Sequence, residues 1–152
     1  VNLEIVEHVD VPVHHKTGAQ LPFYASEGAA GADLRAHIDH AVTMEPGTRA
    51  LIPTGLSVAL PHGTELQIRP RSGLAYNHGI TVLNSPGTID CDYRGEVKVL
   101  LVNLGDESFQ ILPGMRIAQA VIAPIIKANW QSVTELPSTE RGARGFGHTG
   151  SH

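Results

Sequence analysis

Apolar and polar positions alternate in short runs along nearly the whole chain, and Gly, Pro, Asn or Asp closes each run. A period of two marks strands with one buried face, and closures spaced roughly ten residues apart predict an all-β sandwich, jelly roll or barrel. Leu3-Glu4-Ile5-Val6 is expected to open as a strand, with loops at His14-His15-Lys16-Thr17-Gly18 and at Glu27-Gly28. Ala32 to His37 alternates cleanly, which puts Asp33, Arg35 and His37 on a polar strand face. Arg49 to Leu60 reads as one or two strands interrupted at Pro53 and Gly55. In Glu65 to Arg71, Gln67, Arg69 and Arg71 share a face. Ser72 to Asn77 predicts the one short helix, with Ser72 as N-cap.

Asn84-Ser85-Pro86-Gly87 is a turn and Arg94-Gly95 a second one. The piece between them is read as extended, with Asp90 and Asp92 on one face and Ile89, Cys91 and Tyr93 on the other. Val97 to Val102 is expected to return beside it as the second arm of a hairpin. Strands are further expected over Ser108 to Leu112, Met115 to Ile122 and, weakly, Trp130 to Leu136. Apolar residues fall on both faces near Leu100 to Val102 and Ile117 to Ile122, a hint of assembly. No second domain is visible: residues 1–136 form the β domain, and 137–152, rich in glycine, form a flexible C-terminal arm.

At 152 residues and 41% apolar, the chain is long enough for one proper core. A formal charge of −4 with no Lys/Arg block excludes a protein that coats nucleic acid, so any phosphate site is local and built from a few arginines. The single cysteine, Cys91, fits a reducing compartment. With no apolar run of signal or membrane length, a soluble cytoplasmic protein is expected, with no nucleic-acid and no membrane partner.

Asp90, an acid at the rim of a core, is suited to act as a general base, although a polar turn facing water would look the same. Arg71, Ser72 and Gly73 bring a cation, a hydroxyl and backbone N–H groups to a helix start, a combination that suits phosphate. Gln119 on an apolar stripe is either a buried amide bonded to backbone or a donor to a ligand oxygen. Arg141, Arg144, the backbone N–H groups exposed at glycines, His148 and Thr149 offer phosphate donors, and Phe146 a plane for a base. The histidines show no zinc spacing. Mg²⁺ is the metal that needs least from a protein, and Asp33 could reach it through water.

Taken in order, Ala30-Gly31-Ala32-Asp33-Leu34, Pro70 to Ala75, Gly87 to Gly95, Arg116-Ile117-Ala118-Gln119 and Arg141 to Gly150 resemble the five motifs of the trimeric dUTPases. The resemblance covers residues 30 to 150. It implies a distorted β jelly roll (the β-clip) in a homotrimer whose active sites are shared between chains. It implies hydrolysis of dUTP to dUMP and pyrophosphate, which keeps uracil out of DNA and supplies dUMP for dTMP synthesis. Asp90 would activate the water for in-line attack on the α-phosphorus. Asn84, Gly87, Thr88 and Ile89 would form the uracil pocket, and Tyr93 would exclude a 2′-hydroxyl. Lys98 would support that pocket, while Arg71, Ser72, Gly73 and Gln119 hold phosphates. Asp33 would bond to waters on Mg²⁺, itself held mainly by the phosphates. Arg141, Phe146, Gly147, His148 and Thr149 of the arm would close over the substrate. Arg144 stands where the family commonly has glycine; a side chain in solvent, a contact with the β- or γ-phosphate and a stiffer turn all stay open, and the phosphate contact is the expectation adopted. His148 stands where serine is frequent. Two other readings stay open: a dCTP deaminase of the same fold, and a non-catalytic nucleotide-binding regulatory trimer.

Overall fold

The computed structural model describes residues 6–150. Ten strands and one helix follow among them: β1 (Val13–His15), β2 (Ala32–Arg35), β3 (Val42–Met44), β4 (Arg49–Val58), β5 (Thr64–Arg69), α1 (Ser72–His78), β6 (Ile80–Val82), β7 (Gly87–Ile89), β8 (Val97–Asn103), β9 (Phe109–Ile111) and β10 (Arg116–Pro124). One antiparallel sheet has the order β1-β4-β8-β6 and a second the order β2-β10-β5-β7, with β3 and β9 paired as a small ribbon. β8 shows why the pattern was readable: Val97, Val99 and Leu101 are buried, while Lys98 between them is exposed. Across one core lie Leu34, Leu66, Ile68, Ile89 and Ile117 of the second sheet, and Met44 and Ile111 of the ribbon join the same core. Burying each of these larger side chains contributes about 1.5–3 kcal/mol. Two four-stranded sheets around one core make the expected all-β jelly roll with one short helix. No helix among the described residues is long and apolar enough to cross a membrane.

Several local expectations are corrected. Most of the expected opening strand, Leu3 to Ile5, lies outside the described residues, and Val6 is exposed coil. His14 and His15 are not loop but part of edge strand β1, which pairs through its backbone with β4 (His14 opposite Ser57). β4 is a single strand. Its ladder with β8 slips between Pro53, opposite Lys98, and Leu56, opposite Val97, which is the bulge that accommodates a proline and a glycine at φ +74°. Ser72 is the first helical residue rather than the cap; Arg71 holds the cap position in extended conformation, without a side-chain bond to the helix. Trp130 to Leu136 forms no strand, and its large side chains stand in solvent.

The expected hairpin at residues 87–102 is also absent. β7 pairs with β5 in the second sheet, whereas β8 pairs with β4 and β6 in the first. Residues 90–96 therefore cross from one sheet to the other. Sequence alternation could not show this, because both strands take partners far away along the chain.

Candidate active site

At that crossing Tyr93 N–H bonds to Asp90 O at 3.1 Å, closing a turn over 90–93. Arg94 Nη1 donates to Cys91 O (2.6 Å) and Tyr93 O (3.0 Å), which stiffens it. The turn ends the two-residue alternation expected for Asp90 to Tyr93. It also places Asp90 at the mouth of a cleft of about 450 Å³, alongside Thr88, Ile89, Tyr93 and Lys98. Among the described residues Asp90's carboxylate makes no ion pair or hydrogen bond, and it is open to solvent. Gly87 belongs to the same corner: a Cβ there would lie 3.2 Å from Ile68 Cβ and 3.4 Å from Asn84 Nδ2, so the missing side chain lets the Asn84 amide close on the backbone.

Two further residues line the cleft that sequence reasoning passed over, Leu51 of β4 and Glu96. Leu51 looked like an ordinary strand position; its exposure on the strand face away from the core is the signal. Tyr93 lies over Gly95, where any side chain would collide with its ring, and its hydroxyl donates to Glu96 O at 3.1 Å.

A second cluster gathers around Asp33, which is only 4% exposed and not on a polar surface as expected. Arg116 Nη1 donates to Asp33 Oδ2 at 3.2 Å. Arg71 Nε lies 3.3 Å from Asp33 Oδ1, near enough for charge pairing yet out of line for a hydrogen bond, and this buried N–H has no other partner. Gln119 stands opposite Asp33 in the ladder, with its amide against Gly31, where a Cβ would come within 3.0 Å of Oε1. Ser72 and Gly73 open the adjoining helix and are exposed. Arg116 was quoted in the sequence motif but not assigned to the site; only the fold shows it on Asp33. The expected common face of Gln67, Arg69 and Arg71 holds for the first two, since Gln67 Oε1 accepts from Arg69 Nε (3.0 Å) and Nη2 (2.8 Å). Arg71, beyond the strand, turns to Asp33 instead.

The arm forms a third group. Arg141 Nε donates to Arg144 O (2.8 Å) and Arg144 Nε to Arg141 O (3.0 Å), while Arg144 Nη2 bonds Glu140 O (2.6 Å). With no phosphate present, the Arg144 guanidinium bonds backbone oxygens of the arm itself. Phe146, Gly147, His148 and Thr149 are exposed.

These groups do not converge within one chain. Ile89 stands opposite Leu66, whereas Asp33 stands opposite Gln119 and Gln119 opposite Arg69. Strand rise and spacing then put Asp90 and Asp33 at opposite corners of the second sheet, on the order of 20 Å apart. Among the described residues no group of three His, Cys, Asp or Glu side chains converges as a metal site.

A family model described as dUTPase matches residues 17–150. The deoxyuridine 5′-triphosphate nucleotidohydrolase of Treponema denticola is 63% identical over 135 residues, and that of Chlamydia caviae 59% over 138. Each alignment covers 89% of this chain and 94% of the relative. Among solved structures, the Staphylococcus bacteriophage 80alpha dUTPase with dUPNHPP matches with a TM-score of 0.80 at 27% identity, covering 93% of this chain and 98% of that one.

Proposed function

The chain belongs to the dUTPase family, enzymes that hydrolyse dUTP to dUMP and pyrophosphate, and we propose that it does so with Asp90 as general base in a site completed by other copies of itself. The observation that carries this is the unpaired Asp90 carboxylate at the mouth of the cleft, with the arginine cluster about 20 Å away by register. A base must lie within hydrogen-bond reach of the water it deprotonates, so one chain cannot supply both base and phosphate clamp to one substrate. A neighbouring copy in a homotrimer resolves the mismatch by bringing its clamp to this chain's cleft. Exposed Ile126, Trp130 and Leu136 beyond β10 are further surface that a second copy would cover.

In this reading uracil enters beside Asn84, Gly87, Thr88 and Ile89, where backbone groups of β7 and its preceding turn meet the base edge. Cytosine would leave those groups unpaired, which rejects it by roughly 10⁴-fold. Tyr93 stands against C2′ of the sugar and Lys98 borders the pocket. Arg71, Ser72, Gly73 and Gln119 receive the phosphates, and the Arg71 guanidinium, partly open to solvent, brings the charge. Asp90 takes a proton from water as it attacks the α-phosphorus in line, and pyrophosphate leaves. The arm (residues 137–152) supplies Arg141, Phe146, Gly147, His148 and Thr149 and excludes bulk water on closing. Mg²⁺ fits as a companion of the triphosphate, because the described residues offer no cluster of carboxylates. A carboxylate has about four acceptor positions, and the two arginines leave some of Asp33's for a metal-bound water. Bound Mg²⁺ would offset phosphate charge. A cytoplasmic setting suits the single cysteine.

Pyrophosphate release should be measured across dUTP, UTP, dTTP and dCTP, with ammonia followed in parallel. Rapid release from dUTP alone is expected. Ammonia from dCTP would instead establish a deaminase, and binding without release a regulatory protein.

A further inference from the structure

Glu96 is the acid of the cleft whose carboxylate is fully engaged. Its Oε1 accepts the Gly55 N–H at 2.9 Å and its Oε2 the Lys16 ammonium at 2.9 Å. Gly55 is the bulged residue of β4, so its N–H has no ladder partner across the sheet and Glu96 satisfies it. Only glycine fits there, since its φ is +74° and a Cβ would fall within 2.8 Å of both Ala19 and His37. Lys16 follows β1 directly, and its own N–H bonds Gly55 O at 2.9 Å. One carboxylate therefore ties the end of β1 and the bulge of β4 to the crossing segment that holds Asp90 and Tyr93.

The tie continues into the cleft. Glu96's carbonyl receives the Tyr93 hydroxyl, and Gly95 underlies the Tyr93 ring. The ring's position is thus set by the backbone of residues 95–96, and that backbone by the Glu96 carboxylate. Excluding a hydroxyl in favour of a hydrogen depends on displacements of about 1 Å or less, a scale on which misplacement alters rates strongly. We propose that Glu96, anchored by Lys16 and Gly55, is a positioning residue that holds Tyr93 against the sugar and so sets the discrimination of deoxyribonucleotide from ribonucleotide. The inference rests on the reading of Tyr93 given above.

The test compares kcat/KM for dUTP and UTP in Glu96→Gln, Lys16→Met, Lys16→Arg and Tyr93→Ala. Lys16 is more than half exposed, so its variants leave the core untouched. The UTP/dUTP ratio should rise at least about threefold in Glu96→Gln and Lys16→Met, the scale of one lost hydrogen bond. Lys16→Arg should restore it, and Tyr93→Ala should raise it at least as far. If Tyr93→Ala raises the ratio while Glu96→Gln and Lys16→Met leave it unchanged, the proposal is overturned and the Tyr93 reading stands. Equal losses for both nucleotides would mean a merely structural tie and overturn it too. An unchanged ratio in Tyr93→Ala removes the sugar reading and the proposal with it.

Discussion

Arg71 Nε faces Asp33 Oδ1 at 3.3 Å without completing a hydrogen bond, while Arg116 takes the other oxygen. A buried carboxylate thus balances two guanidinium groups, both of them partly solvated. Asp33→Asn keeps the shape and removes the charge, so two cations lose their counter-ion. Because water screens the arginines in part, the expected loss is about 1–3 kcal/mol rather than the full cost of a buried unpaired ion. Denaturant unfolding at one fixed protein concentration measures it, and KM for dUTP should rise in parallel. A variant as stable as wild type would mean that the arginines are positioned by something else.

Asp90→Asn removes the proposed base while keeping nearly the same volume. Calorimetric titration with a non-hydrolysable dUTP analogue should give affinity close to wild type, and turnover should fall by at least roughly 10²-fold. Wild-type turnover in this variant would dismiss Asp90 as the base.

Proline and glycine mark turns within the chain itself: Pro61-His62-Gly63 and Glu45-Pro46-Gly47 close through hydrogen bonds from Thr64 N to Pro61 O and from Thr48 N to Glu45 O. The inward alternation of Val97, Val99 and Leu101 was legible too. What depended on distant partners was not. Asp33 looks like a solvated strand residue until β10 and the start of α1 bring Arg116 and Arg71 against it. The expected hairpin at residues 87–102 does not form because β7 pairs with β5 in one sheet and β8 with β4 and β6 in the other. Glu96 escaped notice for the same reason, since its partners Lys16 and Gly55 lie on other elements.

The Glu96 carboxyl is held below the ordinary glutamate pKa, first by its bond with Lys16 and further by the Gly55 N–H, against an opposing effect of burial. A carboxyl with a depressed folded-state pKa contributes stability above its unfolded value and loses it as pH falls through the lower folded value. The melting-temperature gap between wild type and Glu96→Gln should therefore be widest at neutral pH. It should narrow only on the acid side of the ordinary glutamate value. A gap that stays constant into strong acid would show that the charge of Glu96 contributes nothing.

Hydrogen bonds of the arm from Glu140 to Gly150 are made within the arm. Removing residues 138–152 should leave the melting temperature unchanged and lower dUTP turnover by roughly an order of magnitude or more, through loss of closure. Destabilisation on truncation would instead assign the arm a structural role.

A base from one copy and a phosphate clamp from another should complement each other when two inactive variants are mixed. Asp90→Asn retains its clamp and Arg71→Ala retains its base. After the two are unfolded together and refolded in equal amounts, the account predicts recovery of roughly a quarter of wild-type turnover, because half the copies carry each working part. Each variant refolded alone should remain inactive. If the mixture co-assembles, as differently tagged copies eluting together would show, and still hydrolyses no dUTP, then base and clamp belong to one chain and the account is contradicted.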